Sequence, residues 1–450
     1  MKKMKRKDFL KTTVKAGGAA FTAPLFIPNF LSEKPSDRVN VAVIGLTDRR
    51  PSERGIRRGR GLRHIEGYSQ LENVRVTAVC DVVERLFQPA VDLVEERYGI
   101  TPDTYVDYRE LLEDDEIDVV SLVTPNHWHA LQTIWACQAG KDVYVEKPVS
   151  HNISEGRKMV EAAEKYDRVV LAGMTYRFTR AVNEGIELLH SGKIGTPYMA
   201  RANSYSLRPS IGRIEDSEIP EGVDWDRFLG PAPWRPFNKN RFIYNWHWMW
   251  DTGNGDIGNL GIYELDLIRW ALKREHHPVS VHATGGVYVH NDDRETPNIM
   301  NATYEYEDDV LVQIEIRNHY TNLEGSNIRC SMIYTDEGWV EFTGTGYRAF
   351  IGRSREPEYE LSSSDVHETE EINGWQEFID TVRNREIDQF RNNIIEGHKS
   401  AVLPHLANIS YRTGKKLYFD PESERFINDS EADGYLSREY RAPYLMPDRI

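Results

Sequence analysis

The chain has 450 residues, 40% of them hydrophobic and 11% aromatic, which excludes a disordered protein and favours two cores over one. A formal charge of −15 leaves nothing to offset phosphate repulsion, so nucleic acid is excluded as a partner. The charge is uneven: residues 1–38 carry nine Lys/Arg against three Asp/Glu, and a +6 head on a −15 chain leaves −21 for the rest.

That head, "MKKMKRKDFLKTTVKAGGAAFTAPLFIPNF", runs from a basic start through "RKDFLK" to a small, weakly apolar stretch, Ala16 to Ala23. It resembles a twin-arginine export signal with Lys7 in the second arginine place, although no clean small-x-small cleavage site precedes Pro24. The alternative is a basic tail. Residues 1–37 are therefore expected to be an export segment, making the protein periplasmic, or cytoplasmic if the segment is not read. The apolar stretch is too short to span a bilayer. Cys80, Cys137 and Cys330 are scattered, which fits free thiols better than a disulfide framework or metal site.

From Arg38 apolar strands alternate with helical segments: "VNVAVIGL" (39–46), "VRVTAVCD" (74–81), "IDVVSLVTP" (117–125), "KDVYVEKP" (141–148) and "RVVLAGM" (168–174). Strands apolar throughout imply a parallel sheet covered on both faces, a doubly wound Rossmann fold over 38–175 with its ligand at the strands' carboxyl ends. Gly45 follows the first strand, but "LTDRRPSERGIRRGRG" stands where a tight GxGxxG would, so Gly59 and Gly61 are the expected helix-start glycines. Asp81 ends the second strand and is expected on the ribose hydroxyls of NAD, where it would repel the extra phosphate of NADP; capping the next helix is its other use. The seven arginines from Arg49 to Arg63 either reach a pyrophosphate or solvate a loop.

At "TPNHWHA" (124–130) and "EKP" (146–148) the chain resembles the Gfo/Idh/MocA oxidoreductases, and "GKIGTP", "FLGPAPWRPFN" and "GNGDIGNLGIYELDLIRW" extend the likeness downstream. The resemblance implies an NAD-dependent oxidoreductase acting on a sugar or polyol. It puts Thr124, Pro125, Asn126 and His129 beside the nicotinamide ribose, with Glu146 and Lys147 reaching nicotinamide and substrate. His127 is read mainly as part of a polar turn. Pro148 restricts the backbone before it, which aims Lys147 at the cleft. A lysine there can hold the substrate hydroxyl and help take its proton.

After Gly173 the pattern changes to a mixed sheet, with "PYMARANSYSL", "VSVHATGGVYV", "NATYEYEDDVLVQIEIRN" (a hairpin turned at Asp308-Asp309) and "NIRCSMIYTDEGWVEFTG" as strands. Helices are expected over 374–386 and 392–414. Residues 176–430 form an α+β substrate domain with a large open sheet, one face covering the cofactor and the other available for homo-oligomers; 431–450 is a strap. The family usually has an aspartate and a histidine four residues apart on one helix face, where this chain has Asn259 and Tyr263. Two replacements for that proton relay are open: Tyr263 paired with Lys147, or His247 of "YNWHWMWD". Trp246, Trp248 and Trp250 alternate and could line one face of an extended segment against a sugar, or pack in the core. Arg177 in "MTYRF" is a candidate substrate contact. Exported enzyme would keep its NAD tightly bound. The altered Asn259/Tyr263 pair leaves a second chemistry open, NAD-dependent glycoside cleavage or epimerisation through transient ring oxidation, although hydrolases of the wider family diverge from "EKP", which this chain keeps.

Overall fold

The computed structural model describes residues 38–47, 50–52, 55–57, 59–319, 328–367, 371–387 and 390–450. The expected export segment lies outside them. Among the described residues no helix is long and apolar enough to cross a membrane.

The first sheet has six parallel strands: β1 (Val39–Ile44), β4 (Val74–Cys80), β5 (Asp103–Tyr105), β6 (Val119–Leu122), β7 (Asp142–Val145) and β8 (Val170–Ala172), in the order β5-β4-β1-β6-β7-β8. Strand order reverses between β1 and β6, so the loops after them diverge and leave a crevice. β6 and β7 are buried at every residue, because helices cover both faces. Only three residues long, β5 carries none of the continuous apolar signal of its neighbours. A small hairpin, β2 (Arg50–Ser52) with β3 (Gly55–Arg57), is inserted between β1 and helix α1 (Arg60–Tyr68). It replaces the tight glycine turn. The other helices are α2 (Phe87–Tyr98), α3 (Tyr108–Leu112), α4 (Asn126–Gln138) and α5 (Ile153–Lys165).

The second sheet has ten strands, in the order β16-β15-β14-β13-β9-β12-β11-β10-β17-β18. Its centre pairs β9 (Pro197–Tyr205) parallel to β12 (Leu311–Arg317) and antiparallel to β13 (Arg329–Thr335). β10 (Ser280–Gly286) and β11 (Ile299–Glu305) continue one side, and the hairpin from β11 to β12 turns with Asp309 at positive φ. β14 (Gly338–Thr343), β15 (Gly346–Ile351) and β16 (Tyr359–Ser362) extend the other side, while β17 (Leu417–Asp420) and β18 (Arg425–Phe426) return late to join β10. In β12 alternate residues Val312, Ile314 and Ile316 are buried while Leu311, Gln313 and Glu315 face outward. Helices α6 (Arg180–His190), α8 (Ile262–Ala271) and α10 (Ile394–Thr413) share one core with the inner face.

The chain does not part cleanly near residue 175. Trp225, Phe228 and Leu229 of α7 (Trp225–Leu229), then Phe237, Phe242 and Trp246, lie in the same core as Val41, Leu62 and Val79 of the first sheet. So do Phe378, Ile379 and Val382 of α9 (Gly374–Asn384), where Trp375 stacks on Tyr144 with ring centres 4.9 Å apart. Each large side chain buried this way contributes about 1.5–3 kcal/mol, so the first sheet depends on late segments for its cover.

Candidate active site

One cavity of about 1210 Å³ runs along the carboxyl ends of the first sheet. Its walls include residues after β5 (Val106, Asp107, Arg109), β4 (Asp81, Val83), β1 (Gly45), β6 (Thr124, Pro125, Asn126) and β7 (Glu146, Lys147). From β5 to β7 is four strand steps, about 19 Å at the usual spacing. That suits an extended dinucleotide.

The nucleotide end is built by close backbone approach. Gly45 has φ +90°, and a Cβ there would stand 2.7 Å from the Val123 carbonyl carbon. Gly59 precedes the first turn of α1 and lines the cavity. Gly61 lies outside the cavity walls; a Cβ on it would meet the Gly45 carbonyl oxygen and stand 2.8 Å from the Leu46 Cα. Glycine is thus required for helix and strand turn to touch. Asp81 accepts from the Leu46 N–H at 2.7 Å and from the Val83 N–H at 3.0 Å. Burial nonetheless pushes its pKa up to about 6, the backbone donors pulling the other way. A glycine cradle and a strand-end carboxylate fit the ribose and pyrophosphate of NAD, and Arg60 and Arg63 line the cavity beside them.

A pH dependence follows. Ribose hydroxyls donate to a carboxylate, and a free Asp81 protonates as pH falls through about 6, above the ordinary aspartate value of about 3.9. NAD affinity is therefore expected to hold above that pH and to fall up to about tenfold per unit below it. Calorimetric titration from roughly pH 8 to 5 checks this, with Asp81→Asn weaker throughout and nearly flat.

The turn after β6 is held to the turn after β7 by His129. Its Nδ1 is 2.8 Å from the Pro148 oxygen and its Nε2 2.7 Å from the Thr124 oxygen. Carbonyl oxygens only accept, and burial pushes the His129 pKa down, so the neutral ring donates to one at a time. Asn126 Nδ2 donates to Asn254 Oδ1 at 2.9 Å, tying the same turn to the "GNGD" segment. His127 is buried away from the cavity, with Nε2 on the Phe228 oxygen at 3.0 Å.

Glu146 accepts from Arg60 Nε at 2.7 Å and faces His64 Nε2 at 3.0 Å. Burial works to raise its pKa, but Arg60 and His64 outweigh that and hold it well below the carboxylate range. It stays charged. Lys147 Nζ donates to the Asn259 backbone oxygen at 2.6 Å and to Asn259 Oδ1 at 3.1 Å, and lies 4.9 Å from the Tyr263 ring centre. The backbone contact has a local cause: Ile257–Gly261 is a π-helical turn ahead of α8. Wider turns of this kind are frequent at functional sites. Asn259 Nδ2 then donates to Asp256 Oδ1 at 3.0 Å, and Arg208 grips both oxygens of buried Asp256. Arg329 also lies 5.3 Å from the Tyr263 ring centre, and the Tyr176 ring is 5.1 Å away. Burial raises the Glu264 pKa against the pull of Arg329, which donates to it at 3.1 Å.

His247 stacks on Trp246 with ring centres 3.6 Å apart, and its Nδ1 lies 2.7 Å from the Tyr244 oxygen. A carbonyl oxygen only accepts, so Nδ1 is the donor nitrogen of this contact. The expected extended face of tryptophans is corrected. Asn245–Trp248 is a 3₁₀ turn, Trp246 and Trp248 line the cavity, and Trp250 lies outside it beneath Arg412, 4.8 Å from its ring centre. Arg177 is also corrected: it lies outside the cavity walls, buried against Asp266 at 2.8 Å and Glu396 at 3.3 Å. Its donors are spent on Asp266 of α8, Glu396 of α10 and the Arg391 oxygen just before α10. Among the described residues one cluster has metal-ligating composition, His277, His398 and Glu424. Both imidazole Nε2 atoms face one Glu424 oxygen, and the Arg157 guanidinium pairs with that carboxylate.

Fold and site together define a nucleotide-binding protein of the Rossmann class with a lysine in the same cavity. The chain matches the oxidoreductase family's NAD-binding Rossmann fold over residues 39–174 and its C-terminal alpha/beta domain over 210–446. It belongs to the Gfo/Idh/MocA oxidoreductase family. It is 29% identical over 206 residues to a glycosyl hydrolase family 109 protein of Shewanella sp. (strain ANA-3), covering 43% of this chain and 44% of that one. It is 31% identical over 213 residues to inositol 2-dehydrogenase of Salmonella paratyphi B, covering 47% and 51%. The matches thus span about half the length of these relatives. Levoglucosan dehydrogenase in complex with NADH and levoglucosan shares the fold, with TM-score 0.63 at 17% identity over 85% of this chain and 99% of that one.

Proposed function

We propose that the protein is an NAD-dependent oxidoreductase acting on a secondary carbinol of a sugar or polyol. The observation that carries this is the Lys147 ammonium at the carboxyl end of β7, bonded to Asn259 and beside Tyr263, in one cavity with the Gly45–Asp81 cradle. When bound, nicotinamide supplies the hydride acceptor or donor. Two of the three Lys147 N–H groups serve Asn259, and the third holds the substrate hydroxyl and steadies its oxygen as charge develops. Tyr263 passes the proton, and His247 is the second candidate, through Nε2. Trp246 and Trp248 face the C–H surfaces of a ring, while Arg208 and Asn259 meet its hydroxyls.

The likeness to the family 109 hydrolases favours one second reading. In it the ring carbon is oxidised only transiently, which acidifies the neighbouring C–H and lets a glycosidic substituent leave before re-reduction. Ligands released from native protein are identified by mass spectrometry, and sugars, polyols and aryl glycosides are then screened. A rise in reduced-nicotinamide absorbance with a free sugar or polyol supports the first reading. Aglycone release without net absorbance change supports the second, and neither signal from NAD-loaded protein sinks both. Tyr263→Phe and His247→Ala, measured side by side, tell which group carries the proton.

A further inference from the structure

The β5 end of the cavity, away from Lys147, is lined in part by the C-terminal segment. There Val106 and Arg109, after β5, face Arg227 of α7 and Tyr444 of the C-terminal segment. Tyr444 is only 3% exposed. Its ring meets Trp128 edge-on with centres 5.2 Å apart, Arg109 lies 5.6 Å from its centre, and its hydroxyl donates to Asp226 at 3.1 Å. The segment is fastened on both sides of that ring. Before it, Arg438 pairs with buried Glu155 at 2.9 Å and donates to the His127 oxygen at 2.7 Å. Arg441 donates to the oxygens of Gly230 at 3.0 Å and Asp226 at 2.8 Å. After it, Lys165 donates to the Ile450 oxygen at 2.6 Å.

We infer that residues 438–450 form a clasp over the adenosine end of the bound dinucleotide, retaining NAD between turnovers. Asp81 fixes which end this is, because the ribose it would hold lies between the pyrophosphate cradle at Gly45 and the β5 side of the crevice. The Arg109 guanidinium, 44% exposed, offers a flat cationic face to a purine, and the Tyr444 ring, packed against Arg109, Arg441 and Trp128, backs it. Leaving requires the fastened segment to open, and opening a segment tied at several points is slow and rarely populated. The inference rests on NAD binding and is independent of the substrate chemistry proposed above.

The test follows NAD leaving the full-length protein, by exchange of bound labelled NAD against excess unlabelled NAD, and also measures affinity for nicotinamide mononucleotide, which lacks adenosine. Wild type is expected to exchange over minutes or longer. Tyr444→Ala and Arg441→Ala are expected to speed exchange at least ~10-fold while mononucleotide affinity changes less than ~2-fold. Arg441 lies outside the cavity walls, so it carries the test if the tyrosine variant does not fold. Exchange within seconds in wild type, unchanged exchange in the folded variants, or equal loss for mononucleotide and dinucleotide overturns the clasp.

Discussion

Lys147→Met is expected to lower kcat by about 10³-fold at saturating NAD and substrate, within the range for removing a positioned donor that stabilises developing charge. Methionine keeps most of the stem's volume and removes the ammonium, so the turn after β7 keeps its shape. Glu146 remains locked by Arg60 and His64, and Asp81 and the Gly45 cradle lie on other strands, so NAD affinity changes less than about fivefold. The orphaned partner is Asn259, whose Oδ1 and backbone oxygen lose their donor near the cavity, where water can replace it. Single-turnover hydride transfer beside equilibrium NAD binding separates the two quantities. An equal fall in both would place Lys147 in cofactor binding alone.

Gly61→Ala is expected to remove NAD binding almost entirely. The added methyl would meet the backbone of Gly45 and Leu46, and no side chain stands there to swing aside. Either α1 moves away from the strand turn or the turn itself shifts, and both open the cradle. Overpacking of this kind costs about 1–3 kcal/mol of stability. Affinity should drop at least ~100-fold, because misplacing a binding loop by a fraction of an ångström loses several contacts together. Denaturant midpoints and NAD titration measure the two effects. Gly99→Ala is the control: a Cβ there meets nothing within 4 Å, although its φ of +67° makes a small stability loss expected.

The nucleotide fold was legible because buried parallel strands write themselves as apolar runs, and "EKP" and "TPNHWH" sit at strand ends where side chains leave the core. What stayed hidden was pairing across long sequence distances. Arg177 sits at a strand end like a ligand group, yet its partners Asp266 and Glu396 are 89 and 219 residues away. Arg329 lies within a strand of ordinary composition, and only the fold brings it to Tyr263. Arg208 and Asp256 carried no spacing signal for the same reason. The alternating tryptophans misled because period two marks a strand only if the backbone is extended, and a 3₁₀ turn breaks it. Tyr444 belongs to a segment whose packing partners Arg109, Trp128 and Asp226 stand more than two hundred residues earlier.

The same long-range packing governs how the molecule comes into being. A ribosome that has made residues 38–175 has produced six strands whose cover on one side is still to be translated: Trp225 and Phe228 arrive about fifty residues later, Phe378 about two hundred. The nascent nucleotide fold therefore has to be sheltered until residues 374–390 emerge, since exposed apolar surface on an unfinished sheet invites aggregation. Excising that half for crystallography or engineering would strip the same surface, whereas the longer polypeptide closes it with its own later segments.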